Sequence, residues 1–262
     1  MKNIKKEGYT LETLSTVVLS PREKEYFFVE EENNIIYPFY RYGIYEEYKE
    51  EAIQYYIPGS SIKGAVMGFN KKEKKRNHIM FDDILIKDKE DIGLYPLNKV
   101  QYVMQDKKTP KKIKIDTFFP NIRIEMLKAN KKYKGEVFLQ GSFKEYLEET
   151  TQCTKRKVEK FCSQINAILD MSKDNIEDKN REILNRLKEN LKNVKDKIEQ
   201  IKDEYYIFLG GYKGFLLSAN FNDEMIENEK MTNDINEVSS AIYIDKEKNL
   251  PHGLVKIKLF DL

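Results

Sequence analysis

The sequence has few of the residues that mark a metalloprotein or a disulfide-stabilised protein. Its 262 residues include two cysteines, Cys153 and Cys162, and two histidines, His78 and His252. Two thiols nine residues apart, with both histidines far from them along the chain, lack the spacing of a zinc site. We therefore predict two reduced thiols, no metal and no cofactor.

Long apolar segments are also absent. Hydrophobic residues make up 40% of the chain and charged residues 34%, and no apolar run is long enough to cross a bilayer. No signal-peptide pattern is visible. This composition predicts a globular cytoplasmic protein with no membrane contact, large enough for one big domain or two small ones.

The net charge of +2 is small, but the charges are unevenly distributed. Residues 23–51 contain nine acids and three bases, whereas residues 99–134 contain eleven bases and three acids. Such a basic stretch is typical either of a surface that meets a polyanion or of a solvated lysine-rich surface. Lys71–Arg76 is also basic and has no apolar periodicity, so we predict a surface loop there.

Several short segments have the composition or the alternation of β-strands. Leu14–Leu19 is rich in β-branched residues and ends before Pro21, while Ile113–Ile115, Ile122–Met126 and Val255–Leu259 alternate apolar and polar side chains. The last of these places Lys256 and Lys258 on one face. Strands with one polar face predict antiparallel sheets covered by helices on the other side, in an α+β fold.

Two segments between Phe143 and Asp203 have helical periodicity instead. Their apolar residues recur every three or four positions, and the polar stretch Ser172–Asn175 separates them. The two stripes are Val158, Phe161, Ile165, Ile168, Leu169 and Ile183, Leu187, Leu191, Val194, Ile198, Ile201. We predict two antiparallel helices that pack on a sheet or on a partner.

The most specific motif is the run from Tyr55 to Gly68, in which a strand-like lead passes through Pro58-Gly59 into a helical pattern. Ser60 or Ser61 is a suitable helix cap. The free N–H groups of a first helical turn, with Lys63 beside them, favour an anion such as phosphate. An ordinary strand-to-helix turn has the same pattern, so the sequence leaves both interpretations open.

This motif is not a nucleotide-binding P-loop. Gly59 and Gly64 have the four-residue gap of that loop, but Ala65 and Val66 occupy the positions that require Lys and Ser or Thr. Nucleotide hydrolysis is therefore not expected.

A second glycine motif follows the apolar run Tyr205–Leu209. Gly210, Gly211 and Gly214 surround Tyr212 and Lys213. Glycines allow close backbone approach, tyrosine can stack on a base, and lysine can hold a phosphate. Many hairpin turns have a similar composition, so this loop alone is a weak signal.

Together the two motifs resemble the RAMP (repeat-associated mysterious protein) superfamily of CRISPR proteins. Ile57–Gly64 resembles the IPGSSLKG signature of type III effector subunits, and Gly210–Gly214 resembles the family's glycine-rich loop. Thr13–Pro21 is similar to the opening strand, although Arg22–Lys24 replaces the turn that relatives carry there. Leu250–Lys256 is similar to the closing segment of these proteins.

Within the superfamily, Leu209–Ser218, Lys230–Thr232 and the C-terminal strand are most similar to the Csm-complex subunit numbered five, which lies at the crRNA 3′ end. The resemblance implies a ferredoxin-like (RRM-like) RAMP fold, with one domain at 1–142 and a second at 143–262. It implies binding of crRNA, and of target RNA in some contexts, within a complex of other CRISPR subunits. The RNA-binding residues that it implies are Pro58, Gly59, Ser60, Ser61, Lys63, Gly64, Gly210, Gly211, Tyr212, Lys213 and Gly214.

A non-catalytic role is expected, because the cutting subunit of such complexes uses an aspartate upstream of the signature and no Asp lies between Met1 and Ile57. Two alternatives stay open. The first is a RAMP endoribonuclease that uses His78 or His252 as acid or base, or the adjacent pair Asp82-Asp83 with a metal. For these residues we favour exposed histidines and a polar turn. The second alternative is a protein-only scaffold.

Overall fold

The computed structural model describes residues 4–20, 26–29, 33–43, 48, 53–68, 78–104, 110–171, 176–218 and 242–260. The strands are β1 (Lys5–Thr13), β2 (Phe27–Val29), β3 (Asn34–Tyr37), β4 (Tyr56–Ile57), β5 (Ile79–Phe81), β6 (Ile84–Leu85), β7 (Ile92–Tyr95), β8 (Leu97–Met104), β9 (Pro110–Phe118), β10 (Ile122–Leu127), β11 (Lys132–Leu139), β12 (Tyr205–Phe208) and β13 (Leu254–Phe260). The helices are α1 (Gly59–Met67), α2 (Phe143–Met171), α3 (Asp178–Gln200) and the single turn α4 (Phe215–Ser218), and Lys89–Asp91 forms a 3-10 turn. This is an α+β fold.

The largest sheet has five antiparallel strands in the order β12-β13-β1-β11-β5. Alternation along β1 buries Tyr9 and Leu11 on the face that α1 and the start of α2 cover. The predicted C-terminal strand is confirmed as part of β13. Lys256 and Lys258 share a face as predicted, since both ammonium groups contact the Glu204 carboxylate, at 3.3 and 2.7 Å.

The edge strand β12 is covered on both faces. Tyr205 and Ile207 belong to the core under α1, whereas Tyr206 and Phe208 pack with the helical hairpin. At its open side, the Tyr206 N–H donates to Thr151 Oγ1 of α2 at 3.0 Å. A helix therefore protects the edge that could otherwise pair with another chain.

The predicted helical hairpin is confirmed as α2 and α3. Lys155 pairs with Glu199 and Lys195 with Glu159, each at 2.8 Å, which fixes the helices as antiparallel. Nearly all of the predicted stripe residues are buried or packed on the core, but Ile201 lies beyond the end of α3 and is exposed. The predicted turn Ser172–Asn175 falls outside the described residues.

A second sheet holds strands β2-β3-β10-β7, next to the long β8–β9 hairpin. The strands predicted at Ile113–Ile115 and Ile122–Met126 are confirmed within β9 and β10. The predicted antiparallel pairing holds for β10 with β7 and for β2 with β3, and the pair β3–β10 is the exception, since these two strands run parallel. The expectation that Glu125 is solvated is wrong, because its side chain is buried. Its side-chain oxygens accept hydrogen bonds from the Phe39 N–H and the Tyr48 hydroxyl, both at 2.8 Å, which satisfies these buried polar atoms.

The strand predicted at Leu14–Leu19 is wrong, because the sheet ladder ends at Thr13. The chain bends at Leu14 and Ser15, and the N–H groups that follow have other partners. Thr16 donates to the Asp245 carboxylate at 2.9 Å, and Val17 forms an isolated bridge with Leu127. In this segment a hydrogen bond to a side chain and an isolated β-bridge thus replace the backbone hydrogen bonds of a sheet.

The predicted domain ranges 1–142 and 143–262 share one sheet, since β12 and β13 pair with strands of the first range. Whether each range folds alone stays a prediction. Lys71–Arg76, Arg22–Lys24 and Lys230–Thr232 lie outside the described residues. Among the helices that the structure describes, none combines the length and the apolar character needed to cross a membrane.

Candidate functional site

Helix α1 follows strand β4 through a proline. Pro58 occupies the N-cap position with extended backbone (φ −64°, ψ 130°), and neither serine caps the helix with its side chain. The predicted Ser60 or Ser61 cap is therefore wrong. The helix begins at Gly59, directly after the extended Pro58, and both serines lie inside its first turn. The Ser61 and Ile62 N–H groups donate to the Pro58 carbonyl, at 3.0 and 3.3 Å.

Gly59 brings α1 close to the loop between β5 and β6. A Cβ at this position would overlap the Phe81 carbonyl oxygen, so the close approach that glycine permits is to the protein's own backbone. The Gly59 N–H donates to Asp83 Oδ1 at 2.7 Å. A carboxylate thus already occupies part of the positive end of α1, where the sequence left open either a phosphate site or an ordinary strand-to-helix turn.

This contact gives Asp83, of the Asp82-Asp83 pair, a role in holding the start of α1. Asp83 binds the start of α1, and its other oxygen accepts from the Tyr42 hydroxyl at 3.4 Å. Within the described part of the chain, no group of three or more His, Cys, Asp or Glu side chains is arranged to hold a metal ion.

The outer side of α1 remains open to a ligand. Ser60 and Gly64 are exposed and Lys63 is half-buried, and no atom lies within 4 Å of a Cβ built on Gly64. Tyr42 and Tyr56 stack beside the turn, with ring centroids 4.1 Å apart and planes 15° apart. Burial and the Asp83 carboxylate raise the pKa of Tyr42, which keeps its hydroxyl protonated.

The second glycine loop is fixed to the segment that follows β1. Gly210 has φ +86°, and a Cβ there would overlap the Val18 carbonyl oxygen. The same carbonyl accepts the Gly211 N–H at 2.8 Å. Gly214 also has positive φ, 84°. These contacts explain the glycine composition as a requirement of the turn itself.

Tyr212 and Lys213 have different environments in this loop, since Tyr212 is exposed and Lys213 is buried. Tyr212 has φ +47°, is 39% exposed, and meets Tyr243 edge to face at 5.9 Å. Lys213 is buried, and its ammonium donates to the Phe208 carbonyl at 3.2 Å. Burial and the nearby Lys157 ammonium lower the pKa of Lys213 to about 7. The prediction that Lys213 contacts phosphate therefore needs correction, whereas Tyr212 is accessible for stacking.

The two glycine motifs are not part of one pocket. β12, β1 and β5 run in the same direction, but Phe81 lies level with Glu7 and Ile207 lies level with Thr13. An offset of six residues along the strands and four strand spacings across the sheet separates the motifs by roughly 25–30 Å. An extended ligand could contact both, and a small molecule could not.

The structure also corrects the expectation for His252. Its side chain is 2% exposed, with Nδ1 2.7 Å from Thr16 Oγ1. Burial lowers the pKa of His252 to about 4, although the Asp245 carboxylate opposes this shift. An enclosed neutral imidazole cannot reach an RNA ribose. His78 is exposed, as predicted.

Sequence reasoning named Asp83 only as a possible metal ligand and did not name Tyr243. Asp83 is 24 residues from Gly59 in the sequence, so their contact has no local signal. Tyr243 is distant from Tyr212 in the sequence, and only the fold brings their rings together.

Neither a scan against models of known protein families nor a search of curated protein sequences finds a match to this chain. Support for a function therefore comes from the geometry above and from the motif resemblance.

Proposed function

We propose that the chain is a non-catalytic, crRNA-binding subunit of a type III-A CRISPR (Csm) effector complex. It holds the 3′ part of the crRNA and works in the cytoplasm beside other subunits. The observation that carries this proposal is the glycine loop at Gly210–Gly214, which fixes its backbone on the Val18 carbonyl and presents Tyr212 to solvent. An exposed aromatic ring on a rigid turn is suited to stack on an unpaired base.

The strand order supports the ferredoxin-like (RRM-like) RAMP fold that the resemblance implies. Four strands have the order β13-β1-β11-β5, with α1 between β1 and β5 in the chain and the α2–α3 hairpin between β11 and β13. This is the order of a β-α-β-β-α-β unit. On this interpretation β12 is an added edge strand, and the second sheet and the β8–β9 hairpin are insertions.

Single-stranded RNA fits the separation of the two motifs. The open side of α1 offers Ser60, Lys63 and a bare Gly64, which suit a sugar–phosphate backbone but read no base. Tyr212 offers a ring for a base. A strand that extends over roughly 25–30 Å of sheet surface contacts both.

A non-catalytic role is consistent with the environments of the candidate acids and bases. His252 is enclosed, and Asp83 is bound to the start of α1. These two groups have structural contacts, whereas His78 and Asp82 are exposed and are tested by the variants below.

Purification of the tagged chain with the other complex subunits tests the assignment. We expect the chain to copurify with them and to retain short RNAs whose sequences share one repeat-derived end. A complex that assembles around this chain but releases all RNA when the other subunits are removed would contradict an RNA-binding role and favour a protein-only scaffold. Cleavage of labelled crRNA that disappears in His78→Ala or Asp82→Ala would contradict the non-catalytic role.

A further inference from the structure

The backbone is strained at two exposed aromatic residues. Five described residues other than glycine have positive φ, and three of them are asparagines, which tolerate this conformation. The other two are Phe119, at φ 59°, and Tyr212, at φ 47°. Bulky residues seldom adopt this conformation, and such strain concentrates at functional sites.

Phe119 lies at the tip of the turn between β9 and β10. The Phe119 carbonyl accepts the Ile122 N–H at 3.0 Å. Arg123 braces the same turn from outside, with Nη1 2.7 Å from the Pro120 carbonyl oxygen. Glycine or asparagine would fit the left-handed position with less strain, yet the turn carries a phenyl ring that is 55% exposed.

A chain of ring contacts joins the two strained residues. The Phe119 ring centroid is 4.0 Å from that of Phe118, which in turn meets Tyr243 at 6.2 Å. Tyr243 then meets Tyr212 at 5.9 Å. The strained turn and the glycine loop therefore present one continuous surface, which we call the aromatic patch (Phe118, Phe119, Tyr212 and Tyr243).

Lys99 supplies a positive charge at the centre of this surface. Its ammonium lies 4.6 Å from the Phe118 ring centroid and 5.6 Å from that of Tyr243. The nearest acid across the β8–β9 ladder is Asp116, which pairs with Lys99 in register. The Asp116 carboxylate accepts a hydrogen bond from the Thr117 N–H at 2.7 Å. Phe118 and Tyr243 are half-buried, and a cation on such rings, next to the exposed Phe119 and Tyr212, matches a ligand that combines flat apolar groups with negative charge.

We infer that the aromatic patch is a stacking site for bases of single-stranded RNA, with Phe119 and Tyr212 as its stacking residues and Lys99 as its phosphate contact. This inference rests on the proposed RNA binding and extends it to the β9–β10 turn, beyond the glycine motifs. Two exposed rings beside an ammonium group favour a nucleic acid over a protein partner, whose anchors fill buried apolar pockets.

The absence of tryptophan from the chain permits a direct test. Phe119→Trp places a single indole in the aromatic patch, and Ile4→Trp serves as the matched control. Ile4 is also exposed, at 67%, and lies at the opposite end of β1 from the glycine loop. On titration with a single-stranded RNA oligomer, we expect base stacking to quench the fluorescence of the Phe119→Trp protein and to leave that of the control unchanged.

Binding and folding measurements complete the test. Phe119→Ala should weaken RNA affinity by about 5- to 100-fold, whereas Ile4→Ala should not. Phe119→Gly should weaken RNA binding similarly while the melting temperature stays equal or rises, since glycine relieves the positive-φ strain. An abasic oligomer of equal length should bind the wild-type chain and the Phe119→Ala variant alike.

Each other outcome overturns the inference in a distinct way. If the wild-type chain binds RNA and the Phe119 variants bind equally well, the proposed function stands and the patch is not its site. If Phe119→Ala instead abolishes copurification with a neighbouring subunit while RNA affinity is kept, the patch is a protein contact. If the wild-type chain shows no RNA binding, the proposed function fails and the inference fails with it.

Discussion

Gly64→Ala separates the stability of α1 from its proposed contact with RNA. Gly64 lies in the middle of α1, and a Cβ on it would meet no atom within 4 Å. Alanine is favoured over glycine in a helix by about 1 kcal/mol, and no clash offsets that gain. For a chain of this size the expected rise in melting temperature is about 2–4 °C. A methyl group on the open side of the turn should nevertheless obstruct an RNA backbone and weaken RNA binding.

Gly59→Ala is the contrasting variant in the same motif. Its Cβ would overlap the Phe81 carbonyl oxygen, and relief of that overlap should cost roughly 1–3 kcal/mol of stability. Thermal unfolding of both variants, followed by RNA binding below their melting temperatures, gives the comparison. If Gly64→Ala lowers the melting temperature, the helix assignment at this position is wrong. If it raises stability and leaves RNA affinity unchanged, RNA does not approach α1 here.

Three further variants test individual side chains. Lys213→Met should leave RNA affinity unchanged and stabilise the fold near neutral pH by roughly 1–4 kcal/mol, because the folded-state pKa of Lys213, about 7, lies below its unfolded value. For the same reason the wild type should gain stability as pH rises above 7. Weaker RNA binding by the variant would restore a phosphate role. The wild type should lose roughly 3 kcal/mol of stability as pH falls from 6.5 to 4, since the folded-state pKa of His252 is about 4. His252→Gln should remove most of this pH dependence. An unchanged pH profile of the variant in urea unfolding would refute this cause. Lys63→Ala should weaken the binding of unrelated RNAs alike and lower the salt slope by about one, and a loss confined to one sequence would contradict a backbone contact.

Local periodicity was sufficient to predict the two long helices α2 and α3 and parts of the strands β9, β10 and β13, but other strands, among them β1, β8 and β11, were not predicted. The helical stripes of α2 and α3 and the alternation in β9 and β13 determine which faces are buried, so the sequence pattern and the structure agree there. The failures arise from long-range partners. Thr16 leaves the sheet because Asp245 accepts its N–H, and Glu125 is buried because donors from the β3–β4 region reach it.

In the candidate site, too, local features could be predicted from the sequence and long-range contacts could not. Pro58-Gly59 predicts a strand-to-helix turn, and Gly210–Gly214 predicts a tight loop, because both depend on local backbone conformation. The glycine motif does not reveal that Lys213 is buried, since its burial and its hydrogen bond to the Phe208 carbonyl depend on tertiary packing around β12. The ring contacts of Phe119 and Tyr212 also depend on tertiary structure, because three separate loops meet only in the fold.

Equilibrium binding of single-stranded RNA to the purified chain, measured across a salt series, tests the central claim most directly. We predict that the logarithm of the affinity falls linearly with the logarithm of salt concentration, as phosphate contacts require. At fixed salt, Tyr212→Ala should cost about 1–3 kcal/mol of binding free energy and Tyr212→Phe should cost little. Binding that is absent or independent of salt would contradict an RNA-binding role, and equal losses in the two Tyr212 variants would contradict stacking.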